Sequence, residues 1–259
     1  MPVIDADGCP IHVEIQGRDD APVLMLSNSL GTDLHMWDAQ APAWSKQFRL
    51  LRYDRRGHGQ SGVPKGPYSM ERLGRDVIAI LDALKIKSVN WCGLSMGGMV
   101  GQWLGANAPD RIGKLILSNN TDYYADKTAW NDRLKLVREQ GLAAIVGGNM
   151  ERWFTKGFRD SHPQVIARFS ELFVATKLDG YIACGEAVRD MDHRALLPKI
   201  TAPTLIIAGR HDPATTLAMG ESLRDRIPGA KLAVIDAAHI SNVEQPQIYT
   251  DTVLDFLRG

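Results

Sequence analysis

The segment Gly93–Gly97, which reads Gly-Leu-Ser-Met-Gly, constrains the fold of this chain more than any other feature. It follows an apolar run at 88–92 and precedes a helix-like stretch at 98–104. Between a strand and a helix, G-x-S-x-G is typical of a sharp, strained turn that lifts a serine hydroxyl clear of the sheet edge. The glycines are needed because strand and helix approach too closely for a Cβ. The pattern therefore predicts that Ser95 is a nucleophile, with an accidental Gly-rich turn as the alternative.

Short apolar segments alternate with amphipathic ones along most of the chain. Strands are predicted at 11–15, 22–27, 48–54, 88–92, 114–118, 204–209 and 231–235, and helices at 69–84, from 98 to about 109, at 217–227 and at about 247–257. Several of these strands are apolar throughout, which is typical of a parallel sheet covered on both faces. The sequence therefore predicts an α/β fold with a mostly parallel sheet and helices on both sides.

One long segment interrupts this alternation. Residues 121–195 show helical patterning without a convincing strand, and they hold several Trp and Phe residues. A helical insertion at the carboxyl edge of a parallel sheet would lie over a site at that edge. We therefore predict a core domain formed by 1–120 and 196–259, and a helical cap, or lid, formed by 121–195.

Composition excludes several classes of function. The 259 residues carry 30 Lys+Arg and 30 Asp+Glu, so nothing favours binding to nucleic acid or to an anionic membrane. No apolar run reaches the eighteen residues of a membrane span, and no signal peptide is expected. Three widely spaced cysteines suit a reducing, cytoplasmic setting. No motif for a metal or organic cofactor is present, so none is expected. The oligomeric state stays open, with a homo-oligomer among the alternatives.

A serine hydroxyl needs a base to take its proton and an acid to orient that base. After a serine on such a turn, the acid precedes the histidine along the chain. His239 is the last of seven histidines and follows a late strand, so it is the predicted base. Asp212 follows another strand end and is the predicted acid. Asp122 and Asp236 are the weaker alternatives for the acid.

Attack on an ester carbonyl places negative charge on oxygen, which fixed N–H donors must stabilise. The residue after the serine, Met96, supplies one backbone donor in this arrangement. The second comes from the loop after an early strand, which here is 28–32. We predict that Leu30 and Met96 form this oxyanion hole.

Four motifs, in this order along the chain, resemble those of the α/β-hydrolase family. They are Asn28–Gly31, Tyr53–Ser61, Gly93–Gly98, and the pair Gly209–Asp212 with Ala238–His239. The resemblance covers essentially the whole chain and implies the α/β-hydrolase fold. In this family His58 and Ser61 shape their loop and are not catalytic.

Longer stretches resemble the 3-oxoadipate enol-lactonases, namely Ser27–Trp37, Gly93–Gly105, Glu151–Phe154 and Ala237–Pro246. This resemblance implies a serine hydrolase that opens the enol-lactone of 3-oxoadipate (β-ketoadipate) with water, through an acyl-enzyme, in the bacterial degradation of aromatic compounds. One departure is Asn-Asn-Thr-Asp at 119–122, where the family leads us to expect Ala-Asn-Thr-Ala. It leaves the predicted triad intact.

The implied substrate, a small lactone, carries a free carboxylate that a cation should bind. The predicted cap offers seven arginines, which are Arg133, Arg138, Arg152, Arg159, Arg168, Arg189 and Arg194. We expect Arg133 to bind the carboxylate and Trp153 to form a wall of the pocket, although an ordinary core role is the simpler expectation for Trp153.

Three other functions remain open at the level of sequence. The triad is the same in a general carboxylesterase or a carbon–carbon bond hydrolase of this fold, because specificity lies in the cap. A hydrolase-like ligand receptor can also keep the triad, since fold does not fix function.

Overall fold

An eight-stranded sheet forms the centre of the molecule in the computed structural model, which describes residues 3–259. The strands are β1 (Val3–Asp5), β2 (Pro10–Gly17), β3 (Val23–Ser27), β4 (Arg49–Tyr53), β5 (Val89–Leu94), β6 (Ile112–Ser118), β7 (Thr204–Gly209) and β8 (Lys231–Ile235). The helices are α1 (Ala41–Trp44), α2 (Met70–Ala83), α3 (Met96–Asn107), α4 (Thr128–Gln140), α5 (Val146–Trp153), α6 (Lys156–Ser161), α7 (Pro163–Val174), α8 (Leu178–Asp190), α9 (Leu217–Arg226), α10 (Ser241–Glu244) and α11 (Pro246–Arg258).

The sheet order is β1-β2-β4-β3-β5-β6-β7-β8. The neighbouring pairs β1–β2 and β2–β4 are antiparallel, and every other neighbouring pair in the sheet is parallel. Because β3, β5, β6, β7 and β8 are parallel, their carboxyl ends meet at one edge, where open α/β sheets place their functional groups. This topology confirms the predicted fold class.

Helices cover the sheet because their apolar stripes match its buried surface. In α2, the side chains of Leu73, Val77 and Ile80 share one buried face, at the spacing expected for a helix. The Ser69 side chain caps this helix by accepting the Arg72 N–H at 3.1 Å. Helix α2 packs on α3 at Gly74, where a Cβ would come within 2.1 Å of the Trp103 ring.

Five helices, α4 to α8, lie between β6 and β7 in the chain, in the segment predicted to be helical. An isolated bridge between Tyr123 and Asp192 closes the base of this segment. Inside it, Trp153 packs edge-on against Phe169 and Phe173, with ring centroids 6.2 and 5.6 Å apart. The segment thus has an aromatic core of its own, while its exact boundaries as a cap remain a prediction.

The structure adds short elements that the sequence pattern does not predict. Strand β1 has three residues, and α1 and α10 have four each. Segments this short complete no hydrophobic period, so tertiary contacts decide their conformation. None of the helices within residues 3–259 has the length and hydropathy needed to cross a lipid bilayer.

Candidate active site

The turn between β5 and α3 places Ser95 in a strained backbone conformation. Its φ is 56° and its ψ is −119°, a region that non-glycine residues rarely adopt. The Ser95 N–H donates to the Ser118 carbonyl at 2.8 Å, which ties the turn to the end of β6. The whole Ser95 residue is 8% exposed. This is the geometry that the G-x-S-x-G pattern predicts for the turn.

The glycines on either side of Ser95 occupy positions without room for a side chain. A Cβ on Gly93 would lie 2.2 Å from the Gly97 carbonyl oxygen. A Cβ on Gly97 would lie 2.1 Å from the Ser27 carbonyl oxygen, at the end of β3. Backbone atoms cannot move aside as the end of a flexible side chain can, so glycine is required at both positions.

Two backbone N–H groups near Ser95 have no hydrogen-bond acceptor within residues 3–259. Neither the Leu30 N–H nor the Met96 N–H donates a hydrogen bond to another group among residues 3–259. Leu30 lines the same cavity as Ser95, and Met96 is the first residue of α3, where helix N–H groups have no partner within the helix. These are the two donors that the sequence predicts for an oxyanion hole.

The loop that carries Leu30 is held by a buried histidine. The Gly31 N–H donates to His58 Nε2 at 3.0 Å, and His58 is fully buried. Burial, together with the positive charge of Arg55, lowers the pKa of His58 to about 3. The ring is therefore neutral at pH 7 and can act as an acceptor, which gives His58 the loop-shaping position that the family resemblance implies.

A carboxylate and an imidazole meet at the ends of β7 and β8. Asp212 Oδ2 lies 2.7 Å from His239 Nδ1, and the Asp212 side chain is completely buried. Asp212 also accepts the Thr215 hydroxyl at 2.6 Å and the Ala214 N–H at 2.8 Å. Burial alone would raise the pKa of Asp212, but His239 and these donors hold it below its usual value. The carboxylate therefore stays ionised and fixes the orientation of the ring.

The two alternative acids lie elsewhere. Asp122 Oδ2 accepts from Arg226 at 2.8 Å, and Asp236 pairs with His211 at 2.8 Å. Neither has a hydrogen bond to His239 within residues 3–259. The geometry thus joins Asp212, and neither alternative, to the histidine.

Ser95 and His239 both line one cavity of about 590 Å³. The described hydrogen bonds include none between the Ser95 hydroxyl and the His239 ring, which is a common arrangement before substrate binds. Trp130, Ile145 and Trp153 supply apolar walls from the helical segment. Within the part of the chain that the structure describes, no group of three or more His, Cys, Asp or Glu side chains could hold a metal ion.

Two arginines face this cavity without a carboxylate partner among the described residues. Arg133 donates to the Tyr181 hydroxyl and to Asn149 Oδ1, both at 2.6 Å. Arg152 donates to the same Asn149 oxygen at 3.3 Å. Burial and the nearby charge of Arg133 lower the pKa of Arg152. The cavity lining also includes two carboxylates, those of Asp126 and Asp132, but neither forms a salt bridge with these arginines among residues 3–259. Both guanidinium groups therefore have only neutral hydrogen-bond acceptors.

The sequence singled out Arg133 and Trp153, and the structure places both on the cavity wall. It did not single out Arg152 from the seven arginines of the segment. The distinguishing signal is the lack of a carboxylate partner, which only the fold reveals. Arg138, by contrast, pairs with Glu186 across two helices.

With this geometry in hand, comparisons with known proteins decide the family. A sequence model of the alpha/beta hydrolase fold matches residues 22–246.

The chain belongs to the α/β-hydrolase family.

Among its relatives within that family are two enol-lactonases of Acinetobacter baylyi. The chain is 44% identical to 3-oxoadipate enol-lactonase 2 over 237 residues, which cover 92% of this chain and 89% of the relative. It is 37% identical to 3-oxoadipate enol-lactonase 1 over 257 residues, or 99% and 96% of the two chains. The chain superposes on the crystal structure of the enol-lactonase from Burkholderia xenovorans LB400 over 100% of both chains, with 43% sequence identity and a TM-score of 0.98. These findings confirm the predicted resemblance to the 3-oxoadipate enol-lactonases.

The close packing at the turn predicts that one added methyl group destabilises the fold. Gly97→Ala should lower the free energy of unfolding by about 1–3 kcal/mol, because the new Cβ meets the Ser27 carbonyl. Gly147→Ala in α5 is the matched control, since nothing lies within 4 Å of its Cβ. That control should be neutral or stabilising. Urea denaturation measures both, and equal stability of the two variants would contradict the packing argument.

The buried neutral His58 predicts an acid-sensitive fold. Its folded pKa of about 3 lies below the unfolded value of 6.5, so the unfolded chain binds the extra proton first. Its contribution to stability is therefore present above pH 6.5 and is lost as the pH falls, by about 2 kcal/mol between pH 7 and pH 5.

His58→Gln should be less stable than the parent at pH 7 but should lose less stability on acidification. His211→Gln is the control, because His211 is exposed. Denaturation curves at pH 7 and pH 5 measure these differences. An unchanged pH dependence in His58→Gln would show that His58 does not carry the effect.

Proposed function

We propose that this chain hydrolyses the enol-lactone of 3-oxoadipate, with Ser95 as nucleophile, His239 as general base and acid, and Asp212 as the group that orients His239. The observation that carries the proposal is a serine on a strained turn facing the same cavity as an imidazole bonded to a buried carboxylate. The enol-lactonase relatives support the choice of substrate.

The first half of the proposed reaction forms an acyl-enzyme. The Ser95 oxygen attacks the lactone carbonyl as His239 Nε2 takes its proton. The resulting oxyanion accepts hydrogen bonds from the Leu30 and Met96 N–H groups, which have no other partner within the described chain. Collapse breaks the ring C–O bond, and the departing enol oxygen takes the proton from His239. The enol then tautomerises to the ketone, which draws the reaction forward.

The second half returns the enzyme to its starting state. Water attacks the ester carbonyl of the acyl-enzyme as His239 removes a proton from it. Collapse of this second tetrahedral intermediate expels the Ser95 oxygen, which recovers its proton from His239. The acid product leaves as a carboxylate. No metal or redox step is needed, because each bond is broken and formed by proton and acyl transfer.

The substrate carboxylate fits the two arginines that lack an acidic partner. In the proposed complex Arg133 and Arg152 bind the carboxylate, and Trp153 closes the apolar side of the cavity. Asn149 would hold the two guanidinium groups side by side, since both already donate to its Oδ1. Residues 121–195 would then act as a cap that excludes water and supplies the charge recognition.

A general carboxylesterase is the second candidate, and the apolar walls at Trp130, Ile145 and Trp153 favour it. The two unpaired arginines favour an acidic substrate instead, because a neutral ester gains nothing from them. Rates with the enol-lactone and with a panel of p-nitrophenyl esters of neutral acids separate the two. We expect kcat/KM to be higher for the lactone, and a preference for neutral esters would reverse the assignment.

Removal of the proposed nucleophile should abolish turnover. Ser95→Ala is expected to lower kcat by about 10³-fold or more, because the acyl-enzyme can no longer form. The circular dichroism spectrum should be unchanged, since the substitution removes one oxygen. Ser161→Ala, on exposed α6, is the control and should keep full activity. Full activity in Ser95→Ala would end the proposal.

Loss of one cavity arginine should weaken binding of the acidic substrate. Arg152→Ala is expected to raise KM for the lactone by about 10-fold or more, because a charge-assisted hydrogen bond to the carboxylate is lost. Turnover of neutral p-nitrophenyl acetate should change much less. Arg138→Ala is the matched control, because Arg138 pairs with Glu186 and does not line the cavity. Equal losses with both substrates would contradict carboxylate recognition by Arg152.

A further inference from the structure

A buried asparagine lies where three strand ends meet, and the reaction proposed above does not use it. Asn119 follows β6 directly, with a φ of 46° and 1% exposure. Its N–H donates to the Ile207 carbonyl of β7 at 2.8 Å. Asparagine tolerates this left-handed backbone better than most residues do. Asn119 also stands where the family resemblance leads us to expect alanine, so its side chain calls for a separate explanation.

The Asn119 amide forms hydrogen bonds with three groups in two other segments. Nδ2 donates to Asp212 Oδ2 at 3.0 Å and to the Ala238 carbonyl at 3.2 Å. Oδ1 accepts the Ser241 hydroxyl at 2.6 Å. The amide orientation follows from this network, because a flipped side chain would point its oxygen at a carboxylate and a carbonyl. One side chain therefore connects the loop of Asp212 with the residues on both sides of His239.

We propose that Asn119 is a positioning residue that holds the Asp212 carboxylate and the His239 loop in a single arrangement. The inference rests on the proposed function of the triad. Asp212 Oδ2 receives three donors, which are His239, Thr215 and Asn119. Thr215 belongs to the same loop as Asp212, so Asn119 is the donor that ties this carboxylate to the neighbouring strand β6.

Close packing keeps the amide in place. A Cβ on Gly209 would lie 2.3 Å from the Ala238 carbonyl and 2.9 Å from Asn119 Nδ2. The amide thus fills a space bounded by the backbone of β7 and by the loop before His239. Removal of the amide takes one donor from Asp212 Oδ2 and leaves the Ala238 carbonyl and the Ser241 hydroxyl without this partner, so the Asp212 carboxylate loses its link to β6.

Asn119→Gly tests the proposal, because glycine removes the side chain and accepts the positive φ. We expect kcat to fall by about 10- to 100-fold with little change in KM, since a misplaced imidazole slows proton transfer without altering the cavity. In the pH profile of kcat/KM, the acid limb, where activity falls as the pH is lowered, should move to higher pH. Asp212 loses a donor in this variant and so presents more negative charge to the protonated ring. A purely structural role would not move that limb.

Ser241→Ala is the second variant, and it keeps the test informative if Asn119→Gly folds poorly. It removes the group that orients the amide and leaves Asn119 in place. We expect a smaller fall in kcat, a shift of the acid limb in the same direction, and non-additive effects when both changes are combined. Asn90→Ala is the matched control, because Asn90 accepts the Lys114 N–H near the start of β5, at the opposite end of that strand from Ser95.

The outcomes separate this inference from the proposed function. If Ser95→Ala is inactive while Asn119→Gly and Ser241→Ala keep the parental kcat and acid limb, Asn119 has no positioning role and the triad assignment stands. If Asn119→Gly loses activity only in proportion to its unfolded fraction, with an unmoved acid limb, the inference is likewise overturned. If Ser95→Ala stays active, the triad assignment itself fails. A fall in kcat with the shifted limb, absent in Asn90→Ala, supports the inference.

Discussion

The close approach of backbones around Ser95 is the constraint on which the rest of the site depends. Gly97 meets the Ser27 carbonyl, and the Gly97 N–H donates to the Asn28 carbonyl at 3.1 Å. The first turn of α3 is therefore packed against the loop that carries Leu30. This contact places the strained serine and the Met96 N–H beside the loop that carries Leu30, because it fixes the end of β5 against the end of β3. The strain at Ser95 is tolerated since both elements are buried in the sheet.

Electrostatics divide the site into regions with different charge. A buried carboxylate holds the imidazole at the end of β8, and the neutral ring of His58 supports the Leu30 loop without adding charge. Arg133 on α4 and Arg152 on α5 lie on the side of the cavity formed by the helical segment, and they share the neutral acceptor Asn149. Cations without a salt-bridge partner are costly in a partly buried cavity, and this cost supports our proposal that an anionic substrate group binds there. In our account, the carboxylate and imidazole at the sheet edge carry out the chemistry, and the arginines of the helical segment bind the substrate carboxylate.

Much of the architecture could be predicted from sequence because its signals are periodic. Apolar strands and the amphipathic helix at 69–84 depend on local patterns, and the structure has them within a few residues. The proposed triad was named because chain order restricts the choice of acid and base. Arg152 and Asn119 could not be singled out in this way. Arg152 lines the cavity and has no salt-bridge partner among residues 3–259, whereas Arg138 pairs with Glu186. The contacts of Asn119 reach segments about 90 and 120 residues away. Such properties arise only when distant strand ends meet.

Labelling with a fluorophosphonate tests most directly whether Ser95 is an activated nucleophile. The reagent forms a stable phosphonyl ester only with a serine that a neighbouring base has activated. Mass spectrometry of the labelled protein should show one adduct per chain, located at Ser95 by peptide mapping, and excess enol-lactone should slow its formation. Asp212→Asn should label far more slowly, because the imidazole loses the carboxylate that orients it. An adduct on another serine, or an unlabelled protein that still turns over the lactone, would contradict the account.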